Sequence, residues 1–328
     1  MKIRFLILTL MVVSCLAVAV QAQSPQTLKI PDEVASELQG EPIDFELSSP
    51  ETTIIELSLT SDAFDPYLEI LDAEGTSVAE NDDGGEGTGS VLSLLAEADT
   101  VYTIRARSYS DAATGDFTLT VTEKASSEVS IEQPATTDLE SKTQFFTFTG
   151  KAGDEVDFVV EAEDYDTTLA VLDAYGNELM SSDDGVGLNP FISDFLLPTD
   201  GTYILNLSAY SDDPPAASVQ LSVRPTTIQD LAFDEALTST QEKSYLRFEA
   251  HAGATYRIEI RATVPAIFGV EIKPRMEELG EVSSNSYSVN ALIFEFTTDT
   301  ADVYKLTING ISADYESTPY TTTITEVK

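Results

Sequence analysis

Asp65, Asp82 and Asp83 recur 101 residues later as Asp166, Asp183 and Asp184. Clustered aspartate carboxylates are hard oxygen ligands of the kind calcium accepts. Between them lies Asp72-Ala73-Glu74-Gly75, repeated as Asp173-Ala174-Tyr175-Gly176, which reads as a hairpin turn with Asp first and Gly fourth. With residues 72 and 75 facing each other, Asp65 stands opposite Asp82 with Asp83 adjoining, and Asp166 opposite Asp183 beside Asp184. Like charges opposed across strands are destabilising, so one calcium ion (Ca2+) in each of these two copies is the expectation. The same register pairs Ile267 with Ser284 in a third copy, where the acidic cluster is gone. A bulge at Gly75 or Gly176 shifts the register by one. The competing reading is that these aspartates end strands and cap turns.

Tyr109 and Tyr210, each beside Ser and Asp just after a strand, are the ligand-contact candidates. A tyrosine ring can stack on a sugar or anchor a protein surface. Against this stands the reading that both merely cap the sandwich core.

Other chemistry is thin. His251 is the single histidine, so no Ser-His-Asp machinery and no multi-histidine zinc site can be assembled without it. Gly84-Gly85-Glu86-Gly87-Thr88-Gly89 lacks lysine and follows two aspartates, so it repels phosphate and reads as a loop. Paired carboxylates for glycoside hydrolysis stay open as an alternative, but pairs recurring at a repeat spacing suit a structural device better than a unique active site. The sequon Asn206-Leu207-Ser208 sits in a strand pattern behind a bacterial-looking signal and is set aside.

The 328 residues carry 57 Asp and Glu against 17 Lys and Arg, a formal charge of −40. That charge opposes binding to nucleic acid or anionic membrane surfaces. It serves either to solvate an extracellular protein or to gather cations. Lys2 and Arg4 precede an apolar run from Phe5 to Val20 that closes on Val20-Gln21-Ala22, the pattern of a secretory signal peptide over residues 1–22 and not of a membrane span. A competing lipobox, Val12-Val13-Ser14-Cys15, would make Cys15 a lipid anchor, yet the apolar core runs straight through that cut. Cleavage after Ala22 leaves a secreted or periplasmic chain with no cysteine, hence no disulfide or thiolate site.

The period of 101 extends beyond the aspartates. Tyr102, Tyr203 and Tyr304 keep it; Leu68, Leu71 and Gly75 map onto Leu169, Leu172 and Gly176; Phe45 and Leu47 map onto Phe146 and Phe148. Copy three follows at a spacing of 100 through Leu246, Phe248 and Gly253. Within each copy apolar residues alternate with polar ones, as in Ile55, Leu57, Leu59; Val156, Phe158, Val160; Tyr256, Ile258, Ile260. Period two means half-buried strands. The expectation is an all-β chain of three tandem antiparallel β-sandwiches, jelly-roll-like, over 25–125, 126–225 and 226–328. Ile30, Ile131 and Leu231 each mark a first strand, which leaves connections of only a few residues.

The order Phe146-Thr147-Phe148, Gly153, Val156 to Val160, Asp166 to Asp173, Gly176, Ser182-Asp183-Asp184 and Gly201-Thr202-Tyr203 resembles the bacterial pre-peptidase C-terminal domain. Copy one resembles it through Asp65 to Asp72, Gly75 and Asn81-Asp82-Asp83, with Thr100 where the family has Gly; copy three keeps only the strand pattern and Tyr304. The resemblance implies a compact β-sandwich that trails secreted proteases or stands in tandem in exported proteins, some relatives binding matrix or polysaccharide and some calcium. The functional expectation is therefore a non-catalytic binding, adhesion or accessory module whose partner is an extracellular polysaccharide or protein. A passive acidic spacer is the alternative.

Intact-mass analysis of the exported protein is expected to place its first residue at Gln23. A diacylated Cys15 would overturn this.

Overall fold

The protein's structure, a computed structural model, describes residues 25–84, 89–110, 112–138, 142–162, 165–183, 185–186, 189–210, 218–240, 243–274, 284–285, 289–312 and 319–327. These residues form strands and connecting turns, and no helix among them is long and apolar enough to cross a membrane. The chain divides into two compact units, Met1–Arg224 and Pro225–Lys328.

The first unit holds two β-sandwiches. In copy one a five-stranded sheet runs in the order Gln26–Thr27, Ile43–Ser48, Val101–Ser108, Pro66–Leu71, Ser77–Asn81. It faces a four-stranded sheet ordered Asp32–Gln39, Thr114–Lys124, Thr53–Thr60, Ser90–Ala96. Ile55, Leu57 and Leu59 are fully buried between the sheets with Phe45, Leu68, Ile104 and Leu119, as their alternation requires. Copy two repeats the plan with Thr143–Gly150, Gly201–Ala209 and Thr167–Leu172 at the centre of one sheet and Ser218–Pro225, Glu155–Ala162 and Asn189–Leu196 in the other. Its core gathers Phe146, Phe148, Phe158 and Leu205.

Among the described strands pairing is antiparallel except at each copy's start, where a short strand lies parallel to the next: Gln26–Thr27, Ser126–Glu128 and Ile228–Asp230. The residue that follows is buried each time, and its N–H bonds the same carbonyl: Leu28 to Glu46, Val129 to Thr147, Leu231 to Arg247. The expected anchor at Ile131 is thus corrected to Val129, since Ile131 is 47% exposed. The connection between the copies is a single residue, because Thr114–Lys124 ends where Ser126–Glu128 begins.

The recurring tyrosine has a physical reason. Tyr102, Tyr203 and Tyr304 are all buried, and burial of a phenol demands a partner for its hydroxyl. Each finds it in the turn leading into its own strand: Glu97 N–H donates to the Tyr102 hydroxyl, Thr199 N–H to that of Tyr203, and Thr300 Oγ1 lies 3.3 Å from that of Tyr304.

In the second unit the described strands form one continuous sheet, because Thr255–Pro274 pairs along its first half with Tyr320–Val327 and along its second with Asp302–Ser312. Tyr256, Ile258 and Ile260 from one half and Phe268 and Ile272 from the other enclose the core. Val270, not Ile267, faces Ser284.

A separate apolar cluster joins copies one and two. Ile54 and Leu95, outside the first core, are buried against Phe145, Leu172 and Ile204 on the outer face of the second sandwich's five-stranded sheet. Leu95 N–H donates to the Ala174 carbonyl at 2.8 Å, and Asn177 Nδ2 to the Val78 carbonyl at 2.9 Å. The turn that makes this contact carries Gly176 at φ +90°, where an added Cβ would lie 2.0 Å from the Ser93 carbonyl oxygen. Gly75, its counterpart in copy one, has φ +82° and open space around it.

Urea unfolding of the full chain should separate these two glycines. Gly75→Ala is expected to cost roughly 1–2 kcal/mol, the price of a left-handed backbone with a side chain. Gly176→Ala should cost about 2 kcal/mol more, because backbone must shift to admit the methyl group. Equal losses would mean that the turn bears no contact.

Candidate functional site

On the outer face of the copy-one five-stranded sheet, the side chains that alternate with the core include Asp44, Tyr67, Glu69, Glu80, Arg105 and Arg107. The register sets Asp44 and Glu69 on either side of Arg105 and sets Tyr67 beside Arg107. Arg105 grips Asp44 through two bonds, 2.7 and 3.0 Å. Arg107 Nε donates to Glu69 Oε2 at 3.2 Å, its Nη1 to the Ser108 carbonyl, and its guanidinium carbon lies 3.6 Å from the Tyr67 ring centre. This face-on cation fixes the Tyr67 ring.

Tyr109 completes the corner. Its ring centre is 6.1 Å from that of Tyr67 at an interplanar angle of 35°, and its side chain is 58% exposed. The backbone holds it in place, since Tyr109 N–H donates to the Asp65 carbonyl at 2.8 Å. Burial, and then the bond from its hydroxyl to the Glu80 carboxylate, push the Tyr67 phenol above the ordinary tyrosine value, against the opposing pull of Arg107.

Beside the ring pair opens a crevice of about 60 Å³ lined by Leu38, Glu41, Pro42, Arg107, Ala112 and Ala113 together with Ser108 and Ser110, the neighbours of Tyr109. Gly40 N–H bonds the Ala113 carbonyl across it, and Ala112 is held at φ +59°.

Copy two keeps the tyrosine and changes its surroundings. Tyr210 is 68% exposed and donates its N–H to the Asp166 carbonyl at 3.0 Å, matching Tyr109. Thr168, Asn206 and Ser208 replace Tyr67, Arg105 and Arg107, and residues 211–217 lie outside the described ones. Exposure removes both tyrosines from any role in closing the cores.

The aspartates are placed differently from the sequence expectation. Leu68 faces Asn81 and Leu169 faces Ser182, two positions out from the expected pairing, so these registers do not set Asp65 opposite Asp82 or Asp166 opposite Asp183. The reason lies in the turn. Asp72 N–H bonds the Thr76 carbonyl and Asp173 N–H that of Asn177, which lengthens each hairpin, and a register irregularity follows at Leu71 and Leu172. The Asp72 and Asp173 carboxylates are taken up inside these turns by the amides of Glu74 and Thr76, and of Tyr175 and Asn177. Asp83 serves the loop start, its N–H bonding Asn81 Oδ1 and its carbonyl accepting Val91 N–H. Asp82 and Asp183 directly follow the strands Ser77–Asn81 and Glu178–Ser182, at the ends away from the Asp72 and Asp173 turns, and Asp184 falls outside the described residues. Among the described residues no three His, Cys, Asp or Glu side chains gather as a metal site.

His251 is exposed, 3.4 Å from Glu326. The second unit has a wider cleft, about 520 Å³, where Leu231, Phe233 and Phe248 meet the Asp230–Arg247 ion pair.

The chain matches no family model. A probable subtilase-type serine protease of Deinococcus radiodurans is 43% identical over 70 residues, 20% of this chain and a tenth of that protein. Among solved structures, the pre-peptidase C-terminal domain of a Bacillus anthracis collagenase has a TM-score of 0.27 at 17% identity, covering 31% of this chain and 96% of that one. A tandem of CBM22 domains from Paenibacillus barcinonensis has a TM-score of 0.20 at 9% identity, covering 68% and 89%.

Removing the Glu80 charge should relax Tyr67. In Glu80→Gln, the Tyr67 Cζ shift followed by NMR is expected to report a lower pKa than in the parent, since a bond that favours the neutral phenol is weakened. Because the folded value is raised, the associated stability is complete below pH 10.0, the unperturbed value, and is lost as pH rises through the folded pKa. An unchanged pKa would remove Glu80 as a cause.

Proposed function

We propose that this chain is an exported, non-catalytic binding protein whose first sandwich holds a hydroxyl-rich ligand, a carbohydrate, on Tyr67 and Tyr109. The observation that carries the reading is the exposed Tyr109 ring standing beside a Tyr67 ring pinned by Arg107. An isolated exposed tyrosine needs no explanation. One backed by a second, immobilised ring offers a preorganised surface for the C–H face of a sugar.

The rim supports the same ligand class. Glu41 and Glu80 are exposed carboxylates, which as ions only accept hydrogen bonds, so the complementary partner is rich in donors. Hydroxyl groups supply donors without charge, and a net charge of −40 repels polyanions. Tyr210 is exposed at the matching position of copy two, where Thr168 stands in place of the backing Tyr67 ring. The resemblance of copies one and two to the pre-peptidase C-terminal domain agrees with a role as a binding module, and the signal-like leader agrees with export.

The test is binding of the full chain to a panel of insoluble polysaccharides and their soluble oligosaccharides. Tyr109→Ala is expected to weaken binding at least about tenfold, as loss of a central aromatic anchor does. Its melting temperature should stay within about 2 °C of the parent, because an exposed ring contributes little to the core. Undiminished binding by Tyr109→Ala would move the site elsewhere.

A further inference from the structure

Resting on that reading of the corner, we propose that the crevice beside Tyr109 takes an acetamido group, so that the ligand is a polysaccharide built from N-acetylated amino sugars. Arg107, whose guanidinium covers the Tyr67 ring, and Ser108 and Ser110, the chain neighbours of Tyr109, all line the crevice, so it opens next to the tyrosine corner and within reach of a substituent on a sugar held there. A crevice of about 60 Å³ suits a short branch of the sugar.

The lining selects among short branches. Leu38, Pro42, Ala112 and Ala113 are apolar, Arg107 donates and Glu41 accepts. Of the five guanidinium N–H bonds of Arg107, the Nε one serves Glu69 and one on Nη1 serves Ser108. An acetamido group matches each part in turn: a methyl for the apolar floor, a carbonyl oxygen for the guanidinium, an N–H for the Glu41 carboxylate. A hydroxymethyl group leaves the apolar floor facing a polar atom. A carboxylate satisfies Arg107 but lies against Glu41 in a strongly acidic protein. An ammonium group meets the guanidinium head on.

Ala112 points the same way. It is a non-glycine residue in the left-handed region, a conformation that costs free energy and persists where surrounding structure imposes it. Here it forms one wall of the crevice and keeps only a methyl group there.

The experiment compares a tetramer of N-acetylglucosamine with a β-linked glucose tetramer of equal length by calorimetry on the full chain. The acetylated probe is expected to bind at least about tenfold more tightly, the discrimination one well-filled apolar pocket provides. Ala113→Leu, which fills the crevice, should bring it down to the level of the glucose tetramer while leaving that weaker binding in place. Saturation-transfer NMR on the parent is the independent measurement, and the acetamido methyl protons should receive the strongest saturation of the ligand. Equal affinities, or saturation confined to ring protons, overturn the acetamido assignment and leave the tyrosine corner standing as a carbohydrate site. Binding of neither tetramer overturns both.

Discussion

A strand commits only every second side chain to a core, and what the remaining side chains meet decides the character of each copy in the first unit. In copy one the outward set of the five-stranded sheet includes Asp44, Tyr67, Glu69, Arg105 and Arg107, a charged grid with aromatic rings at one end. At the matching positions copy two carries Phe145, Thr168, Ala170, Asn206 and Ser208, with Leu172 and Ile204 close by. The apolar part of that set is buried against copy one. Two sandwiches with equivalent cores are thereby divided between a face open to solvent and a face used for docking.

Much of this was legible in the residues. The period of 101, the alternation in Ile55, Leu57 and Leu59, and the repeated tyrosine describe strands and their inward faces, and the antiparallel sandwich architecture follows from them. The interface also left a mark that period-two reading passes over. Ile54-Ile55, Phe145-Phe146 and Ile204-Leu205 are doubled apolar residues, and doubling within an alternating strand means burial on both faces. Register was not legible. The Asp-to-Gly turns form as the spacing suggests, Gly75 and Gly176 N–H bonding the Asp72 and Asp173 carbonyls, but each Asp also bonds one residue further on, at Thr76 and Asn177, and the register irregularity that follows carries Asp65 and Asp166 away from the residues they were expected to oppose. The Tyr67–Arg107 contact was likewise hidden, since it joins residues 40 positions apart in the chain that only the pairing of Pro66–Leu71 with Val101–Ser108 makes neighbours.

The few basic residues are spent on particular places in a chain this acidic. Arg105 holds Asp44, Lys124 holds Glu56 at 2.8 Å, and Arg107 holds Glu69, whose side chain is only 12% exposed. A carboxylate so shielded needs a counter-charge within reach. Arg107 meets that need while its flat face immobilises Tyr67, so the ion pair and the aromatic surface are a single arrangement and neither can be altered alone.

The junction between the first two sandwiches has a mechanical meaning. One residue separates the last strand of copy one from the first strand of copy two, and the parallel pairing of that first strand anchors it at once. A flexible tether under tension first straightens, and only then loads the domains it joins. Here there is no slack to take up, so a pull along the chain passes directly from one sheet into the next. The pair lengthens by breaking structure, and below that threshold it behaves as a strut.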